Sequence, residues 1–111
     1  RRPRSSKEKP VWAAHLMACS AHADEIQFET DRSKFLGRAR DASNPVALEG
    51  DLSGTAGAVL DPCFSLRKRV TLRPGERVQI AFVTGVADDE AKIQNLVERY
   101  NDFSACERAF D

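Results

Sequence analysis

The sequence predicts a mainly β chain of antiparallel strands that closes on one or two C-terminal α-helices, and three observations predict it. Apolar and polar residues alternate over residues 25–30 and again through residues 64–84, the period at which successive side chains of a strand point to opposite faces. A Pro-Gly turn divides the longer alternating run. After residue 88 the apolar period lengthens from two to 3.6, the repeat of a helix face.

Taken in order, residues 11–19, VWAAHLMAC, form a mostly apolar run of strand length preceded by Pro3 and Pro10, which reads as a strand buried on both faces. In residues 25–30, Ile26, Phe28 and Thr30 share one face while Glu25, Gln27 and Glu29 share the other, the pattern of a half-buried strand. Residues 31–57 are rich in Gly, Asn, Asp, Ser and Arg, with apolar islands only at Phe35-Leu36 and residues 46–48, so a long meandering connection is expected. Phe64, Leu66, Val70 and Leu72 then share a face, and Val78, Ile80, Phe82 and Thr84 continue it. Between them, Arg73-Pro74-Gly75-Glu76 has Pro to set the first central φ and Gly to supply the positive second φ of a type II turn. The two runs are therefore expected to pair as an antiparallel hairpin, with a loop slightly longer than these four residues because tight hairpins favour other turn types. Ile93, Leu96, Val97 and Tyr100 make one helical stripe behind Asp88, Asp89 and Glu90, predicting a helix over 89–100. Ser104 followed by Glu107 has the spacing of a capping box, predicting a second helix from Ala105.

With 111 residues the chain is one domain or part of one, and no apolar run approaches the ~20 residues needed to span a bilayer. It begins on Arg without an apolar leader, so it reads as a piece of something longer. Three stretches are expected: a linker or boundary segment over 1–10, a β-sandwich segment over 11–87, and a helical segment over 88–111. Residues 1–9 carry five basic side chains against one acidic, while the remainder is net acidic, which argues against a nucleic-acid partner. Cys19, Cys63 and Cys106 are too few for a disulfide framework, and an odd count suits a reducing compartment.

The side chains able to carry chemistry have simpler readings. His15, Cys19 and His22 are potential zinc ligands, but residues four apart on a strand lie about 13 Å apart at ~3.3 Å per residue, whereas two ligands of one zinc sit about 3 to 4 Å apart given bonds of ~2.0 to 2.3 Å. A strand-lining histidine and a buried thiol fit better, and no metal or cofactor is expected. There is no nucleophile elbow and no phosphate-binding glycine loop with its Lys, and the carboxylates Asp88, Asp89 and Glu90 stand at a helix start, where capping accounts for them. No catalytic residue is assigned. Arg67 and Arg69 share a strand face, where charge discourages edge-to-edge pairing. Residues 30–38 place basic side chains around Phe35-Leu36 beside Gly37, and Arg32, Arg38 and Arg40 are the candidate contacts to sugar hydroxyls or to a neighbouring domain. Local ion pairing with Glu29, Asp31 and Asp41 is the competing role.

The order of FETDR from Phe28, FLGR from Phe35, NPVALEG from Asn44, VLDP from Val59 and FSLRKRVTLRPGE from Phe64 resembles the sandwich domain of glycoside hydrolase family 94 over nearly the whole chain. The VLDP and FSLRKRV stretches are most similar to cyclic β-1,2-glucan synthases rather than to cellobiose, cellodextrin or chitobiose phosphorylases. The resemblance implies a supersandwich-like antiparallel β-sandwich segment from a large bacterial inner-membrane glycosyltransferase with a phosphorylase-like region. It also implies a non-catalytic, carbohydrate-associated scaffold on the cytoplasmic face, partnered by an (α/α)₆ barrel, the other domains of the parent enzyme and β-glucan. No part of the segment is expected to insert in the membrane. The alternatives are the equivalent domain of a cellobiose- or cellodextrin-type phosphorylase and an autonomous carbohydrate-binding module for β-glucan using the Arg32–Arg40 loop and Trp12; the module is disfavoured by Trp12 in a buried strand and by phenylalanines that fit core positions.

Overall fold

The computed structural model describes residues 4–21 and 25–111. They form two compact units, a terminal unit of residues 4–21 with 72–111 and a central unit of residues 25–71. Antiparallel pairing holds in both, although helices take nearly as many residues as strands.

In the terminal unit, β1 (Trp12–Cys19) pairs antiparallel with β4 (Ile80–Ala87), from Trp12 opposite Ala87 to Cys19 opposite Ile80. The helix α2 (Glu90–Tyr100) packs against both strands and α3 (Phe103–Arg108) follows it. Gly85 lets α2 approach: Ile93 Cδ1 and Leu96 Cδ1 lie 3.3 and 3.5 Å from where a Cβ on Gly85 would stand. Ile93 and Cys106 are buried beneath the helices, and Met17 and Ala18 are buried on β1. Asp89 caps α2 by accepting from the Ala91 and Lys92 amides at 2.8 and 3.3 Å, which satisfies N–H groups the first turn leaves open. The second helix starts earlier than the Ser104 capping box predicts, because Asp102 is the cap and accepts from the Ser104 amide.

In the central unit, β2 (Gln27–Asp31) pairs antiparallel with β3 (Pro62–Arg67), with a register shift between Glu29 and Asp31. Between them lie a short helix, α1 (Arg32–Leu36), and a 3₁₀ turn over Val46–Leu48. The expected long meandering connection thus holds a short α-helix and a 3₁₀ turn.

The predicted hairpin does not form. The type II turn is present, with Gly75 at φ 84° and the Glu76 amide donating to the Arg73 carbonyl at 3.0 Å. Yet the runs it joins pair elsewhere, β3 with β2 and β4 with β1. Alternation fixes which side chains share a face but not which strand is the neighbour, and a type II turn does not match the twist of a tight hairpin. The expected core faces are also turned. Ile80, Phe82 and Val86 are exposed, and the residues between them, Ala81, Val83 and Gly85, are half-buried. Trp12 is 39% exposed rather than buried, and in β2 Phe28 is exposed while Glu29 is 2% exposed.

Candidate functional site

The buried carboxylate organises the central unit. At the irregularity of β2, the Glu29 side chain folds back so that Oε1 accepts from the Thr30 and Asp31 amides, both at 3.0 Å, while Oε2 accepts from Ser53 Oγ. Burial penalises its charge, but the bond from Ser53 and the backbone amides outweigh that and hold the carboxyl down at about 2. The same contacts tie residues 51–55 along the outer edge of β2. The Gly54 amide donates to the Phe28 carbonyl at 3.0 Å, Thr30 Oγ1 donates to the Thr55 carbonyl at 2.7 Å, and Gln27 bonds Asp51 and the Leu52 amide. Lys34 Nζ donates to Thr55 Oγ1 at 3.0 Å from α1. A cavity of about 330 Å³ remains beside Glu29, walled by Lys34, Phe35, Val46 and Leu52.

Asp31 starts α1, accepting from the Ser33 amide at 3.0 Å and Ser33 Oγ at 2.6 Å, and the Ser33 hydroxyl holds its carboxyl below the usual range. Gly37 ends the helix at φ 85°, where a side chain is disfavoured twice over: a Cβ would lie 2.8 Å from Val46 Cβ and Cγ1. Ala39 follows at φ 59°, left-handed backbone that a residue with a Cβ adopts at a cost.

This backbone separates the three candidate arginines. Arg32 lies 3.9 Å from Asp61, and both side chains are more than half exposed, so the pair is weak. Arg40 is bound to Glu49 at 2.5 Å. Arg38, between Gly37 and Ala39, is exposed and makes no hydrogen bond or ion pair among the described residues. The expected partners are engaged otherwise: Glu29 with Ser53 and amides, Asp31 as a cap, and Asp41 with the Ser43 amide and hydroxyl at 2.8 and 2.5 Å. Short-range capping outcompetes the arginines because it needs no ordering of a long side chain.

Arg67 was missed as an organising residue. Its guanidinium donates to the Gly50 and Ala47 carbonyls and so anchors the loop that follows the 3₁₀ turn, rather than guarding a strand edge. No spacing rule signals a contact made across 17 to 20 residues of chain. His15 has a local role, with Nδ1 2.8 Å from Thr84 Oγ1 and its ring stacked on Phe82. His22 lies outside the described residues, and Cys19 is half-buried rather than buried. Among the described residues no three His, Cys, Asp or Glu side chains are grouped to hold a metal ion.

Each carboxyl whose affinity for a proton is perturbed among the described residues, Glu29, Asp31, Asp41 and Asp88, is moved down. Asp88 is bound to Lys92 at 2.7 Å and Asp89 caps α2, as the helix-start reading expects. Glycoside chemistry needs a carboxyl moved the other way, to keep a proton for the leaving oxygen.

Residues 1–103 match the model of the glycosyl hydrolase 94 supersandwich domain. The chain belongs to that family. This supersandwich domain is 36% identical over 103 residues to the cyclic β-(1,2)-glucan synthase NdvB of Rhizobium meliloti (strain 1021), covering 90% of this chain and 4% of the synthase. It is 35% identical over 88 residues to the N,N'-diacetylchitobiose phosphorylase of Vibrio proteolyticus, covering 78% of this chain and 11% of the phosphorylase. It is 34% identical over 92 residues to the phosphorylase of the same name from Vibrio furnissii, covering 82% and 11%. The domain thus spans a small fraction of the length of these relatives, and its likeness extends to both a synthase and phosphorylases. No described helix is long and apolar enough to cross a membrane.

Proposed function

We propose that this supersandwich domain is a non-catalytic scaffold of a larger carbohydrate-active enzyme of the cyclic β-1,2-glucan synthase kind. Its role there is to pack on an (α/α)₆ catalytic barrel at the cytoplasmic face of a bacterial inner membrane. The observation that carries the reading is the separation of the three arginines. Arg32 and Arg40 are paired within the domain, whereas Arg38 is exposed on a left-handed corner. Such a corner, with its guanidinium unpaired among the described residues, suits docking on a carboxylate or backbone carbonyls of a neighbouring domain. The longer match to the synthase favours a glucan synthase as parent over a chitobiose phosphorylase.

A second reading has an observation of its own. Phe28 and Phe64 share one face of the β2–β3 sheet, 39% and 55% exposed, where the sequence places phenylalanines in a core. Exposed aromatic rings on a sheet face can stack on pyranose rings, which would make the central unit a carbohydrate-binding module. The test is an NMR titration of the 111-residue chain with linear and cyclic β-1,2-glucan. The scaffold reading expects the amides of residues 28, 64 and 37–40 to stay unmoved at millimolar sugar. Saturable shifts confined to those residues would replace it with the binding module.

A further inference from the structure

We propose that the cavity beside Glu29 in the central unit is a binding site for one neutral polyhydroxylated ring, either a free monosaccharide or the end residue of a linear glucan. The site goes beyond the scaffold reading and does not depend on it, because it uses neither the Arg38 corner nor the exposed Phe28 and Phe64.

Three segments meet around the cavity: Lys34 and Phe35 from α1, Val46 from the 3₁₀ turn, and residues 49–53 from the chain that passes along β2. Its polar groups are held in place by bonds within the unit. Lys34 Nζ donates to Thr55 Oγ1 at 3.0 Å, Thr55 Oγ1 lies 3.3 Å from Ser53 Oγ, and Ser53 donates to Glu29. Because the Ser53 proton is committed to Glu29, the Thr55 hydroxyl donates to Ser53, and the chain of bonds runs one way from the ammonium to the buried carboxylate. Asp51 Oδ1 accepts from Gln27 Nε2 at 2.8 Å, and Glu49 Oε1 accepts from Arg40 at 2.5 Å. Two protons of the Lys34 ammonium, Asp51 Oδ2 and Glu49 Oε2 are left without partners among the described residues.

These groups define the ligand. An anion meets Glu29, Glu49 and Asp51, and a cation meets Lys34, so the wall disfavours ions of either sign. A neutral group that donates to carboxylate oxygens and accepts from an ammonium satisfies both, and a hydroxyl does each. Phe35, Val46 and Leu52 supply apolar wall, which suits the C–H face of a sugar ring. Volume sets the number of rings: about 330 Å³ has room for about eleven waters at ~30 Å³ each, enough for one ring and not for two. Every ring of a cyclic glucan is continued on both sides, so a one-ring cavity selects a free sugar or a chain end.

The test is an NMR titration of the 111-residue chain with D-glucose, the linear β-1,2-linked glucose disaccharide and cyclic β-1,2-glucan, with glycerol and methylammonium chloride as probes for small polyols and for cations. Glucose and the disaccharide should shift the amides of Lys34, Phe35 and residues 49–53 saturably, with half-saturation at about 1 to 10 mM. Cyclic glucan and glycerol should need about tenfold more. Tighter binding of the disaccharide than of glucose assigns the site to chain ends, and the reverse assigns it to free sugar. Asp51→Asn with Glu49→Gln keeps an amide oxygen for Gln27 and for Arg40, and should weaken glucose binding about tenfold. Lys34→Met keeps the aliphatic stem and should weaken it about fivefold, which leaves a second variant should the first not fold. Unmoved amides at about 100 mM glucose overturn the proposal, as do an equal response to glycerol and undiminished binding in the folded variants. Methylammonium that shifts these amides at lower concentration than glucose overturns it in favour of a cation site, and cyclic glucan that binds as well as the disaccharide overturns the one-ring cavity. Shifts at residues 28, 64 and 37–40 are read in the same spectra and test the scaffold reading separately, so either can fail without the other.

Discussion

Strands β2 and β4 each lie at the edge of a two-stranded sheet, and they meet that position in opposite ways. Along β2, a buried carboxylate, a threonine hydroxyl and a glutamine bind the passing segment 51–55, so the polar groups of the edge are spent within the central unit. Along β4 the side chains are apolar apart from Thr84, and stabilisation comes from the packing of Ile93 and its neighbours on one face of the sheet. Two strands alone are marginal in water, so each unit needs its additions. The difference teaches that the central unit is specified by directional bonds sensitive to pH, and the terminal unit by contact sensitive to volume.

Changes in volume should therefore fall hardest on the terminal unit. Ile93→Ala leaves a cavity under the β1–β4 sheet, with an expected loss of about 3 kcal/mol. Amide exchange should rise along β1 and β4 by far more than along β2 and β3; equal rises in both would break the contrast. Glu29→Gln is the matching change in the central unit. The amide can still accept one bond but carries no charge, so the expected loss is about 2 kcal/mol at neutral pH. Because the Glu29 carboxyl lies below its ordinary value of 4.5, at about 2, its contribution is complete above about pH 5 and fades as pH falls through 2. Wild-type and E29Q chains should thus converge in stability near pH 2. A constant difference across that window would mean that the carboxylate charge is not what holds residues 51–55.

The sequence made some of this legible and hid the rest for physical reasons. The turn at Gly75 and the Asp89 cap depend on near neighbours and are where the pattern places them, whereas the alternation through residues 64–84 is strand only within Pro62–Arg67 and Ile80–Ala87. The short α1 also carries a local signal that was passed over: Asp31 ahead of Ser33, with Gly37 at the helix end, is a cap at each terminus. Strand partners, the buried Glu29 and the Arg67 anchor depend on residues tens of positions away, which no period encodes. The inverted faces of β2 and β4 have a further cause. An apolar face left exposed has the same alternation as a buried one. For the candidate site, the arginine loop was legible as a cluster, but not which member remains unpaired.

A smaller effect tests whether the corner beneath that loop is rigid. Gly37→Ala puts a methyl 2.8 Å from Val46 and into left-handed backbone, so the expected loss is about 1 to 2 kcal/mol, with exchange rising at the 3₁₀ turn over Val46–Leu48. If the change is silent, the corner relaxes freely and does not fix the direction of Arg38.

The smallest expected effect separates structure from contact most sharply. Arg38→Ala removes a side chain with no partner among the described residues, so stability should change by less than about 0.5 kcal/mol. Arg40→Ala frees Glu49 from a pair in which the arginine side chain is 31% exposed, and its loss should be larger, about 1 kcal/mol. Chemical denaturation of the two variants measures both. Should Arg38→Ala cost as much as Arg40→Ala, the guanidinium is already used within the domain, and the outward-facing contact it is assigned would fall with it. If the ranking holds, the proposed scaffold role expects the same two substitutions to reverse it in a parent enzyme: R38A would weaken association between domains, and R40A would act only through local stability.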